Sequence, residues 1–91
     1  MASIKDLKDD INFLTYDLIN ECFTFKMFHP GKEGAADKVI SEIVKLRNEL
    51  IHKVNHPEQR DDSMGLKPYY NQIKAELGKL VKLVEELGKN A

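Results

Sequence analysis

Two His-Pro steps, His29-Pro30 and His56-Pro57, cut the chain into three segments, and each segment carries apolar residues at helical spacing. Proline lacks a backbone donor and pushes the preceding residue out of helical geometry, so each step marks a helix end. A chain of 91 residues is one domain. Three amphipathic helices in one small domain can bury their apolar stripes only against each other. No segment shows the period-two alternation of a strand. The expected fold is therefore all-α, an antiparallel up-down-up three-helix bundle. Residues 1–91 form its single domain, with helices at about 4–28, 35–55 and 67–88.

The first segment opens with Ser3 and Asp6, which resemble a capping box with Asp in the usual Glu position. Ile4, Leu7, Ile11, Leu14, Leu18, Cys22 and Phe25 then recur at intervals of three and four, on one helical face. Phe13, Tyr16, Asn20, Phe23 and Met27 keep the same spacing. At about 100° per residue they lie nearly opposite the first stripe. In a three-helix fold each helix has two neighbours on one broad side. A helix apolar on two faces is thus either sandwiched or used for association. The second stripe is expected to bind a second copy of the chain, giving a homodimer, or another helical protein.

Gly31-Lys32-Glu33-Gly34 reads as a polar loop, with the second helix starting near Ala35 or Ala36. Ala36, Val39, Ile40, Ile43, Val44, Leu46, Leu50, Ile51 and Val54 form its apolar arc. Arg47 falls inside that arc, and His52 lies about 140° away on the polar side. Arg47 is expected to pack its stem and either snorkel or pair with a helix-one acid such as Asp17 or Glu21. A polar connection, Pro57 to Gly65, leads to the third helix, where Pro68 suits a helix start. Leu66, Tyr70, Ile73, Leu77, Leu80, Val84 and Leu87 follow in strict four-three alternation, with Tyr69, Val81 and Leu83 widening the stripe. This places Tyr70 in the core and Tyr69 at its rim. Gly88 suits the helix end.

Composition narrows the function classes. Apolar residues at 42% and charged residues at 32% fit a globular chain rather than a disordered one. A net charge of −1 argues against a polyanion binder, so nucleic acid is not an expected partner. The single cysteine, Cys22, permits no internal disulfide and suits a reducing compartment. The opening residues hold no secretory apolar run, and no stretch approaches a membrane span. A cytoplasmic location and no membrane partner are expected. Residues 1–31 hold three lysines and five acids, whereas residues 67–91 hold five lysines and three glutamates. Opposite signs on neighbouring helices attract weakly at the rim.

One polar cluster has the make-up of a catalytic motif, Arg47-Asn48-x-x-x-His52 at the end of the second helix. It resembles the Arg-x-x-x-x-His signature of the HEPN superfamily, the higher-eukaryote and prokaryote nucleotide-binding domains, many of them metal-independent ribonucleases. The resemblance covers these six residues and the preceding Leu46. It implies that His52 would act on an RNA 2′-hydroxyl or leaving oxygen while Arg47 steadies the phosphate, with sites paired across a dimer. Histidine exchanges protons near neutral pH and arginine grips phosphate with two donors. HEPN domains usually have four or five helices, against three expected here. The chain as a whole resembles a set of short uncharacterised bacterial helical proteins. That likeness rests on Ser3-Ile4-Lys5-Asp6-Leu7-Lys8, Asp10-Ile11-Asn12, Glu49-Leu50-Ile51 and Lys53-Val54-Asn55, and implies no activity.

His52 and His56 stand four apart, a spacing that can present two metal ligands, but Pro57 disturbs His56 and no third ligand is evident. Cys22 sits in the first apolar stripe with no flanking base, as a buried structural thiol does. Tyr69-Tyr70 beside Lys67 could stack a base, although core packing is their ordinary role. No phosphate loop, Ser-His-Asp set or zinc spacing is present, so neither a cofactor nor a metal is expected. The balance favours a non-enzymatic interaction module that self-associates through Phe13, Tyr16, Asn20, Phe23 and Met27. The alternative is a HEPN-like ribonuclease or RNA-binding domain using Arg47, Asn48 and His52.

Overall fold

The computed structural model describes residues 4–89. They form three helices, α1 (Ile4–Phe28), α2 (Glu33–Asn55) and α3 (Leu66–Lys89), with a short 3-10 turn at Pro57–Gln59. No strand occurs among the described residues, and the fold is all-α as expected. Ser3, the first half of the expected capping box, lies outside the described residues.

Each His-Pro step ends a helix. His29 N–H still donates to Phe25 O at 2.9 Å, and the chain then turns at Gly31, whose φ of +93° is costly for any residue with a Cβ. α2 begins at Glu33, before the expected Ala35. The reason is local: Gly31 N–H donates to both Glu33 carboxylate oxygens, at 3.1 and 2.9 Å. The carboxylate also sits at the positive end of the helix dipole. Glu33's own backbone N–H and then that of Gly31 hold its carboxyl below the usual range. Its stabilising effect is therefore present above the unfolded-state value and fades as pH falls through the lowered one.

At the second step His56 leaves helical geometry at φ −128°, ψ 59°. Arg60 binds the connection together, donating from Nε to Met64 O at 2.9 Å and from Nη1 to Pro57 O at 2.7 Å. Asp61 accepts from the N–H and the hydroxyl of Ser63.

Two cross-helix contacts set the direction of α2. Arg47 meets Asn12 and Asp37 meets Lys26, so residue numbers rise on one helix as they fall on the other. α1 and α2 are antiparallel. α3 starts beside the end of α2, where Tyr69 hydroxyl donates to Lys53 O at 2.7 Å. Helices of 23 and 24 residues are each about 35 Å long. The longest dimension of the protein is 48 Å, so α3 must fold back along α2. It also touches α1, which closes the bundle.

The core is one line of side chains from each helix: Leu7, Ile11, Leu18 and Cys22; Ala36, Ile43, Leu50 and Val54; Tyr69, Ile73, Leu80 and Leu87. Ile43–Leu50 and Ile73–Leu80–Leu87 recur every seven residues, the spacing that keeps a seam facing its partners. Three expectations need correction. Thr15 is buried in the layer where Leu14 was expected, and Leu14 only packs against it. The Thr15 hydroxyl is satisfied by Ile11 O at 2.7 Å, so its burial leaves no polar atom unpaired. Tyr69 is the core tyrosine and Tyr70 the half-buried one, in edge-on contact at 5.6 Å. Tyr69 is buried with its hydroxyl bonded to Lys53 O in the last turn of α2, a carbonyl that also takes the His56 backbone N–H at 3.3 Å. Ile4, Val44 and Leu66 stay exposed despite their places in the apolar stripes; Ile4 and Leu66 are the first residues of α1 and α3, and Val44 lies at the edge of the α2 arc.

Leu80 is fully buried, and Leu80→Ala is expected to cost about 3 kcal/mol through lost contacts and the cavity left behind. Gly78 is exposed within α3, and an added Cβ would meet nothing. Gly78→Ala should therefore raise stability by about 0.5–1 kcal/mol. Urea denaturation at fixed protein concentration reads both.

Candidate functional site

α1 has two working faces. Its inner face supplies Leu7, Ile11, Leu18 and Cys22 to the core. Its outer face displays Phe13, Tyr16, Phe23 and Met27 at 50–77% exposure, with Phe28 beside them and Asn20 exposed in their midst. None of these aromatic rings is buried by α2 or α3. Phe23 has the Lys26 ammonium 5.8 Å from its ring centroid, and that ammonium is held at 2.7 Å by Asp37 of α2. The outer stripe thus runs up to the α1–α2 seam.

Arg47 lies half-buried in that seam. Its partners differ from those expected. Nε and Nη2 both donate to Asn12 Oδ1, at 3.0 and 2.8 Å, and Nη1 donates to Asn48 Oδ1 at 3.0 Å. Neither Asp17 nor Glu21 reaches it. Those acids lie about 140° and 180° around α1 from Asn12, on another flank. The Asn12 oxygen takes the two-pronged bond that a carboxylate would take, but it brings no negative charge. The guanidinium is positioned by neutral groups.

His52 is exposed and turned toward the 3-10 segment, with Nε2 3.2 Å from Gln59 Oε1. Its ring stacks on His56 at 4.3 Å, and His56 Nδ1 lies 2.9 Å from Glu58 Oε1. Glu58's own backbone N–H and then the bond to His56 hold its carboxyl below the usual range. Among the described residues no three His, Cys, Asp or Glu side chains converge as a metal site. Among the described residues Arg47 and His52 share no hydrogen-bond partner: one is clamped to α1, the other to Gln59. Asn48 joins the Arg47 cluster. Proton transfer at a phosphate ester requires the acid–base group and the anion-binding group within hydrogen-bond reach of one substrate.

A cleft of about 260 Å³ lies between α2 and α3, lined by His52, Lys53, Gln59, Tyr69, Gln72 and Glu76. It falls below the roughly 300–1,000 Å³ typical of small-molecule sites. Its walls are fixed by the Lys53–Glu76 ion pair at 3.0 Å and the Tyr69 bond to Lys53 O. Tyr69 is buried and cannot serve as a stacking platform. Cys22 is fully buried; desolvation and then Glu21 push its thiol up, away from reactive thiolate.

Two residues in these clusters escape sequence reasoning, Asn12 and Gln59. Asn12 sits on the flank of α1, and only the antiparallel register brings it to Arg47. Gln59 is a loop residue that the 3-10 turn aims at His52. Asn12→Ala leaves a half-buried guanidinium without its main acceptor, which should cost about 1–2 kcal/mol. Tyr69→Phe, which removes one buried hydroxyl bond, should cost about 1 kcal/mol. Both are measured as shifts in the urea midpoint.

Comparison with known proteins adds no relative: a scan of protein-family models, a search of curated proteins and a search of solved structures each return no match.

Proposed function

We propose that the chain is a non-enzymatic helical interaction module that self-associates through the outer face of α1. One observation carries this reading: Phe13, Tyr16, Phe23 and Met27, with Phe28, form an exposed apolar stripe on a helix whose opposite face already fills the core. At roughly 200 Å² per large side chain, their exposed fractions leave on the order of 600 Å² of mostly apolar surface in water. That is the upper end of the largest patch on an ordinary monomer, about 300–600 Å². A bundle of this size also has a thin core, and association is a common source of added stability for small domains.

The ribonuclease reading has no comparable support. Arg47 and His52 bond to different partners, Asn12 and Gln59.

The test is mass in solution. Sedimentation at micromolar concentration should give about twice the chain mass of 10.4 kDa. Phe23→Asp should shift the protein to monomer while leaving its helical circular dichroism intact. A wild-type monomer whose mass and solubility are unmoved by that substitution would sink the reading.

A further inference from the structure

Three features of the seam and the outer face find no use within one chain. Among the described residues Arg47 is held by amide oxygens alone. Asp17, an exposed carboxylate on α1, belongs to no ion pair found among the described residues. Asn20 places an amide in the middle of an aromatic stripe. We propose that the outer stripe of α1 packs in parallel and in register against the same stripe of a second copy, and that Asp17 of the partner subunit supplies the missing charge at Arg47. This rests on the self-association reading and specifies its geometry.

The stripe is a heptad seam. Phe13, Asn20 and Met27 occupy one core position and Tyr16 and Phe23 the other. Lys5, Asn12, Ile19 and Lys26 flank it on the α2 side, and Asp10, Asp17 and Thr24 flank it on the far side. In a parallel pair each flank meets the opposite flank of the partner, displaced by five residues. Lys5 then faces Asp10, Asn12 faces Asp17 and Ile19 faces Thr24. An antiparallel pair brings like flanks together: with the stripes centred on Asn20, Asp17 faces Thr24 of the partner subunit and is carried away from Arg47. Flanking charges of this kind choose orientation.

The contact with Asn12 matters most. Asn12 is hydrogen-bonded to Arg47, so a carboxylate brought to Asn12 is brought to the guanidinium as well. Three of the five Arg47 N–H groups are used within the chain, leaving one each on Nη1 and Nη2 for an incoming acid. The two copies of Asn20 meet on the axis, where each amide satisfies the other. One polar residue at such a core position fixes the register of a parallel pair. The seam ends at Asp9, whose charge keeps the first turns of the two helices apart and hydrated. The large side chains of the two stripes together bury on the order of 1,000 Å², and Asn20 with the flanking Asn12, Asp17 and Ile19 brings the contact toward the roughly 1,200 Å² of a stable specific interface.

The experiment swaps the charges and follows dimer dissociation by sedimentation. Asp17→Arg and Arg47→Glu should each weaken the homodimer by about ten-fold or more, since each repeats a like-charge contact twice. Mixing the two variants should restore a heterodimer close to wild type, because every Arg47-type contact is then of opposite sign. Separately, Phe13→Cys should form a disulfide with itself on mild oxidation, and wild type, whose Cys22 is buried, should not. If both charge variants dimerise as wild type does, or if Phe13→Cys cross-links only with Phe23→Cys, the proposed geometry is overturned while self-association stands. A monomeric wild type removes both. Should Arg47→Glu lose its helical circular dichroism, Asp17→Arg and Phe13→Cys decide the matter, because both positions are exposed.

Discussion

A bundle of three helices has a single interior line, and every helix can offer that line only one narrow strip of its surface. Here the strip is occupied at seven-residue intervals by Ile43 and Leu50 on α2 and by Ile73, Leu80 and Leu87 on α3, each almost wholly removed from water. The interior is thereby used up. Whatever else the helices carry must lie at the seams between them or on the outside. α3 obeys this limit with a polar outer face. α1 does not, because its outer residues are Phe13, Tyr16, Phe23 and Met27. The excess cannot be absorbed by repacking, since turning α1 to bury them would expose Leu7, Ile11, Leu18 and Cys22 instead.

The seams show how the remaining polar groups are settled. Lys26–Asp37 and Lys53–Glu76 are direct ion pairs at the wet edges of the bundle, where such pairs contribute modestly. Arg47, in the α1–α2 seam, is treated differently: its acceptors are neutral amides. Amide oxygens from Asn12 and Asn48 orient the guanidinium without a second buried charge. The result is a rigid cation whose remaining donors stay available at the border of the exposed stripe.

Much of the architecture is legible in the residues. Proline after histidine marks both breaks, and periodicity locates the helices to within a few positions. The errors are local and have a common cause. Periodicity ranks residues by hydrophobicity, so it preferred Leu14 to Thr15 and Tyr70 to Tyr69. The structure ranks them by angle and by whether a hydroxyl can find a carbonyl. Thr15 bonds back to Ile11 O and Tyr69 reaches Lys53 O, and each is buried on that condition. The start of α2 at Glu33 escapes periodicity for a similar reason: its carboxylate caps a turn whose N–H group no hydropathy pattern records. At the candidate site the outer stripe could be read from spacing alone. The partner of Arg47 could not, because Asn12 and Arg47 are 35 positions apart and meet only through the register of two antiparallel helices.

That register also separates the two functional readings at one atom group. A ribonuclease of the HEPN kind would need the Arg47 guanidinium open to a phosphate and His52 near it. In the proposed dimer the same guanidinium is closed by a carboxylate, and His52, which turns to Gln59 and stacks on His56, takes no part. The two readings thus compete for the last two donors of Arg47. An acid held on a packed helix at fixed spacing has the advantage over a diffusing anion, because the packing of the apolar stripe supplies the ordering that a free ligand would have to meet alone.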